Sequence, residues 1–175
     1  VRHPGLGTLA FVLVVPTTVI GYVPYVLTRW VQSAPLFPGA RFVGIALFLA
    51  GLPLFVAFNL RFVREGKGTP APIAPTRHLV VGGPFRYLRN AGYIAVLALV
   101  AAQGFFFGSG RVLVYAAALF VMFHTFVLLY EEPTLRRRFG GEYDAYCRQV
   151  PRWIPHLPSP THRGSRTVDC PGLPK

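Results

Sequence analysis

Four apolar runs of 17 to 22 residues alternate with polar segments of very unequal length, at 6–27, 42–60, 91–107 and 112–130. Runs of that length match the thickness of a bilayer's hydrocarbon core. The first contains Pro16 and Pro24, predicted kinks that a helix in lipid tolerates, and its length argues for a retained span rather than a signal peptide. The second carries Pro53, with Gly44 and Gly51 seven residues apart on one face, which predicts close approach of a neighbouring helix. The third and fourth are joined only by Gly108-Ser109-Gly110, so they form a tight hairpin. After them, Leu135, Phe139, Tyr143 and Tyr146 recur at spacings of three or four, predicting an amphipathic interfacial helix over 133–150 that can break at Gly140-Gly141. The expected fold is all-α: about four transmembrane helices plus a cytoplasmic interfacial helix, one membrane domain over 1–155 and a disordered Pro- and Arg-rich tail over 156–175.

Composition agrees with this pattern. Apolar residues make up 53% of the chain and charged residues 14%, which makes a soluble fold of this size unusual. Of 18 Lys and Arg residues, 15 fall in the N-terminus, the 61–90 loop and the C-terminal tail, all on one side of a four-span topology. That side is expected to be cytoplasmic, in a multi-pass protein of the cell membrane. The net charge of +12 is accounted for by this anchoring, and no interleaved basic and aromatic surface suggests nucleic acid as a partner. Cys147 and Cys170 have no metal-binding spacing and are expected to be free thiols.

Two polar clusters frame the hairpin. Gly82-Gly83-Pro84-Phe85-Arg86-Tyr87-Leu88-Arg89-Asn90-Ala91-Gly92-Tyr93 leads into it, and Glu131-Glu132, the only adjacent acids, lies where it ends. Both should therefore meet at one membrane surface. Arg89 and the amides opening the third helix suit an anion, because a helix N-terminus carries partial positive charge. Glu131 or Glu132 suits a cation, and Phe85, Tyr87 and Tyr93 offer aromatic faces that a planar ring or a cation can use. The bland alternatives are snorkelling of Arg86 and Arg89 to headgroups and pairing of the acids with Arg136. His124 lies seven residues before Glu131, nearly on the same face of an ideal helix, and is either a catalytic group or a helix–helix hydrogen-bond partner.

These pieces in order, with Pro133, Leu135, Phe139, Gly140, Glu142, Tyr143 and Val150-Pro151-Arg152 following the acids, resemble the isoprenylcysteine carboxyl methyltransferase and phospholipid methyltransferase superfamily over residues 77–155. The resemblance implies S-adenosylmethionine as cofactor and methyl transfer to a lipophilic or membrane-embedded small acceptor. Its implied cofactor contacts are Arg77, His78, Leu79, Val80, Phe85, Asn90, Ala91, Gly92, Tyr93 and Glu131, to which the charge argument adds Arg89 and Glu132. Two departures matter: Ala91 replaces the usual proline, and Val127 stands where the prenylcysteine branch has an arginine for the substrate carboxylate. A sterol-reductase-like enzyme using NADPH and a non-catalytic membrane scaffold are the competing expectations.

Overall fold

The computed structural model describes residues 14–65 and 82–155. Residues 6–13 of the first apolar run, the Arg77 to Val80 segment of the expected cofactor loop, and the 156–175 tail lie outside them. The described residues form five helices: α1 (Val14–Thr28), α2 (Ala40–Glu65), α3 (Ala91–Phe107), α4 (Gly110–Phe139) and α5 (Gly141–Gln149). A short 3-10 turn, Gly83–Arg86, precedes α3.

Two of these helices, α2 and α4, are long and apolar enough to cross a membrane, and α1 and α3 are shorter apolar helices. The long pair is not a soluble core. Only 11% of the apolar stretch Ala40–Leu60 and 17% of that in α4 is buried within the protein. Phe42, Leu49, Val114, Val121 and Leu129 all project outward. A surface this apolar is stable only against lipid.

α3 is the central helix, flanked by α2, α4 and α1. Its buried residues are mostly small: Ala91, Gly92, Ala95, Ala102 and Gly104, with Leu99 and Val100. Small residues let helix backbones approach closely where lipid removes the ordinary hydrophobic driving force. The paired glycines of α2 use this. A Cβ on Gly44 would lie 2.7 Å from the Ala102 carbonyl oxygen, and one on Gly51 would lie 3.0 Å from Ala98 Cβ. Gly44→Ala is therefore expected to push α2 off α3 and cost about 1–3 kcal/mol, whereas the looser Gly51→Ala costs less. Thermal unfolding of the two variants in detergent checks the order.

The irregularity of α1 follows from Pro24. Proline has no N–H to offer the carbonyls one turn back, and the helix widens into a π turn over Thr17–Tyr22. The carbonyls left over find side chains instead: Gln103 Nε2 donates to Ile20 O (2.8 Å) and Tyr115 Oη donates to Val19 O (3.3 Å). These two bonds tie α1 to α3 and α4 beside the core of Val100, Val112 and Leu119. Gln103→Leu should leave the Ile20 carbonyl without a partner and cost about 1–3 kcal/mol. An urea or heat titration would register it.

The α3–α4 turn is closed by Gly108 at φ 71°, where a Cβ would strike the Ala34 carbonyl. Ser33 N–H donates to Phe107 O (2.9 Å), which fixes the α1–α2 loop over this turn. The other end of the hairpin is where the polar clusters lie.

α4 differs from the sequence expectation in one respect. The interfacial helix does not start afresh after the fourth apolar run: Gly110–Phe139 is continuous, through a π turn at Val127–Glu131, and the break comes at Gly140, whose φ of 52° suits glycine. Pro133 follows directly on the π segment, where the hydrogen-bond register is already widened to five residues at Glu132, so the interior proline falls where the regular ladder is interrupted.

Candidate functional site

The site lies where the start of α3, the π turn of α4, α5 and the strap 150–153 converge. Val150 is extended (φ −120°, ψ 121°), as the residue before a proline prefers, and this sends Pro151-Arg152-Trp153 back across the helix ends. The strap is hydrogen-bonded along its length. Arg89 N–H donates to Pro151 O (3.0 Å), and Asn90 Nδ2 donates to Arg152 O (3.1 Å). Asn90 is the N-cap residue of α3, yet no side chain caps that helix; the Asn90 side chain bonds the strap through its Nδ2 instead.

The two adjacent acids do different things. Glu132 is 5% exposed and bonded to two guanidinium groups. Arg152 grips it with both nitrogens, Nε to Oε1 at 2.7 Å and Nη2 to Oε2 at 3.0 Å, and Arg89 Nη1 reaches Oε1 at 3.2 Å. The bonded carboxylate raises the Arg152 pKa above its ordinary value. Arg89 Nη1 also donates to Cys147 Sγ (2.8 Å), while its Nε is buried without a partner. Arg136, the expected local partner of the acids, pairs instead with Asp144 (3.1 Å) on the exposed side of α5.

Glu131 has no cationic partner among the described residues. Its Oε2 accepts a hydrogen bond from Tyr93 Oη (2.9 Å). The Tyr93 ring packs on Phe123, centroids 4.7 Å apart. A π turn is a one-residue insertion into the α-helical register, common at functional sites. Here it turns Glu131 by roughly 100° relative to a regular helix, so that the acid meets Tyr93 while its neighbour meets Arg89 and Arg152.

The same insertion separates His124 from Glu131. The imidazole faces the strap: Trp153 Nε1 donates to His124 Nδ1 (3.0 Å), and Phe120 stacks on it at 5.8 Å. Its partner is therefore the strap, not a neighbouring transmembrane helix.

An aromatic floor completes the site. Phe58 of α2 lies against Gly92, where an added Cβ would come within 2.6 Å of its ring, and Phe58 meets Phe85 at 5.9 Å. Phe85 is fixed through its backbone, whose carbonyl accepts the Tyr146 hydroxyl (2.8 Å). Burial pushes the Tyr146 phenol up. Ala91, at the position usually held by proline, is fully buried as the first residue of α3.

Of the residues singled out in the sequence, Phe85, Arg89, Asn90, Ala91, Gly92, Tyr93, Glu131 and Glu132 gather at this end of the hairpin. Arg77, His78, Leu79 and Val80 lie outside the described residues. Sequence reasoning missed the role of Arg152 and Trp153 and the contacts of Phe123, Phe58 and Cys147. A signal was present in Val150-Pro151-Arg152-Trp153: a proline-extended stretch carrying a bidentate cation and an indole directly after an amphipathic helix.

These helices, with charged and aromatic side chains gathered at one end of a tight hairpin, make the chain a helical membrane protein with a polar site at one end. The family model "Phospholipid methyltransferase" matches residues 40–142, more than half of the chain, and the chain belongs to that family. Its members are S-adenosylmethionine-dependent membrane methyltransferases, and this chain is an enzyme of that kind. The match takes in α2 to the start of α5 and both members of the Tyr93–Glu131 pair. No curated protein and no solved structure matches the chain.

Proposed function

We infer that the protein methylates the amine headgroup of a membrane phospholipid with S-adenosylmethionine, at the cytoplasmic end of four transmembrane helices, α1 to α4. The observation that carries the cofactor half of this reading is Glu131: a carboxylate held by Tyr93 and uncommitted to any cation among the described residues. Such a group is set to receive an ammonium. The donor set suits the cofactor: Glu131 for its α-amino group, the uncapped amides opening α3 at Ala91 and Gly92 for its carboxylate, and Phe85 with Tyr93 for its adenine and sulfonium. Arg77, His78, Leu79 and Val80 would complete this set. Asn90, Arg89 and Glu132 belong to it as frame, holding the first turn of α3 against the strap.

When bound, S-adenosylmethionine supplies an electrophilic methyl group. The protein's part is positioning and exclusion of water, because an in-line displacement gains most from fixed geometry. Tyr93 aims the Glu131 carboxylate, Phe123 and Phe58 exclude water from either side, and Gly92 leaves room for the aromatic floor. Buried Val127, 1% exposed, leaves no charge for an acceptor carboxylate, which favours an amine over a prenylcysteine acid.

Purified protein in detergent, given methyl-labelled cofactor and phosphatidylethanolamine micelles, should place label on the headgroup nitrogen. Folded protein that binds NADPH but not S-adenosylmethionine would instead establish the reductase alternative.

A further inference from the structure

The bond between Trp153 and His124 has a consequence for the acceptor. An indole N–H can only donate, so the His124 nitrogen facing it, Nδ1, must carry a lone pair. An imidazolium has protons on both nitrogens and is excluded from this arrangement. The proton of the neutral ring therefore sits on Nε2, for which no partner exists among the described residues. Trp153 thus makes His124 a fixed donor, with no lone pair left to accept a proton from a substrate.

Its location gives that donor an address. Phe123, one residue earlier, packs on Tyr93 and so faces the site, while Phe120, Val121 and Met122 project outward among the apolar residues of α4. His124, half-buried between these two sets, stands at the edge where bilayer and site adjoin. Seven residues along α4 place it about 10 Å from Glu131 toward the bilayer interior. The ester carbonyls of a glycerophospholipid lie at about that depth below its headgroup amine. A neutral donor at such depth, where water does not compete, selects for a carbonyl acceptor.

We propose that His124, locked as its Nε2–H tautomer by Trp153, donates a hydrogen bond to an ester carbonyl of the acceptor phospholipid, and so sets which lipids are positioned for methylation. This rests on the aminophospholipid reading above. His124 is then a specificity residue and Trp153 a positioning residue that acts through it.

The test has two readouts. Nitrogen-15 NMR of histidine-labelled protein in detergent micelles should show His124 as the Nε2–H tautomer, with that preference lost in Trp153→Phe; an Nδ1–H tautomer or an imidazolium at neutral pH in the unaltered protein overturns the proposal irrespective of activity. Kinetics should then compare diacyl phosphatidylethanolamine with its dialkyl-ether counterpart. The unaltered protein is expected to show a KM about fivefold lower for the ester lipid, the size of one neutral hydrogen bond, with kcat nearly equal. His124→Phe and Trp153→Phe should abolish that preference, and His124→Gln, whose amide can donate from a similar position, should restore most of it. An ester preference unchanged in His124→Phe overturns the proposal, as does an equal collapse of kcat in His124→Phe and His124→Gln, which would mark a proton acceptor. Protein with the expected tautomer that methylates neither lipid overturns the aminophospholipid reading, and the carbonyl contact with it.

Discussion

Glu131→Gln is expected to reduce methyl transfer by about 100-fold or more while leaving the protein folded. The substitution keeps an oxygen that can accept from Tyr93 Oη, and it leaves the Arg89–Glu132–Arg152 cluster untouched. What it removes is the negative charge, the one feature by which residue 131 can hold an ammonium. Truncating one partner of a desolvated charge pair costs about 2–5 kcal/mol, and at 1.4 kcal/mol per factor of ten the middle of that range is a loss of at least two orders of magnitude. Binding of labelled S-adenosylmethionine and incorporation of label into lipid extracts should both fall, at an unchanged melting temperature. Full activity in the glutamine variant would remove Glu131 from the site. Tyr93→Phe should act in the same direction and more weakly, because the carboxylate loses its aim and keeps its charge.

Glu132→Leu should do the reverse: unfold the protein rather than spare it. Its carboxylate is the meeting point of Arg89, from the approach to α3, and Arg152, from the strap, and it is buried. Removing one member of a buried ion cluster leaves the others uncompensated, which costs about 3–5 kcal/mol. The lower part of that range applies, since the Arg152 side chain is one-third exposed and partly reaches solvent. A second replacement tests the cause. Because a buried ion cluster can be exchanged for apolar residues at little cost, Glu132→Leu combined with Arg89→Leu and Arg152→Leu should recover much of the lost stability in a detergent melt. If the triple variant melts as low as the single one, the cluster is not what holds the strap.

Adjacent acids with opposite duties could not be separated from the sequence. An ideal α-helix puts positions 131 and 132 about 100° apart and says nothing of which one faces inward; the π turn that decides it has no compositional mark, since Val127-Leu128-Leu129-Tyr130 is an unbroken apolar run. The same turn lies between His124 and Glu131, so the shared face that seven residues of regular helix predict does not carry over to a widened one. Helices were legible because the bilayer imposes length and apolarity, and the third helix occupies 91–107, the span its composition marks. The Gly44 and Gly51 spacing also carried its meaning in the sequence, because only a close neighbour needs two glycines a heptad apart. Pairings across 43 residues, from Arg89 to Glu132, or 29, from His124 to Trp153, are properties of how the helix ends stack and leave no local periodicity to detect.

The strap also bears on the order in which the protein is made. Glu132 leaves the ribosome 20 residues ahead of Arg152, the partner that holds it with two bonds. The four apolar helices of the described residues have all been synthesised by then, so they are available to the membrane before the charge cluster can close. A nascent chain halted before Pro151 would carry the five described helices and an acid that, among the described residues, is left with Arg89 alone, with Asn90 and His124 still lacking their bonds to the strap. The charge cluster thus cannot close until the strap itself has been made, however early the helices before it are in place.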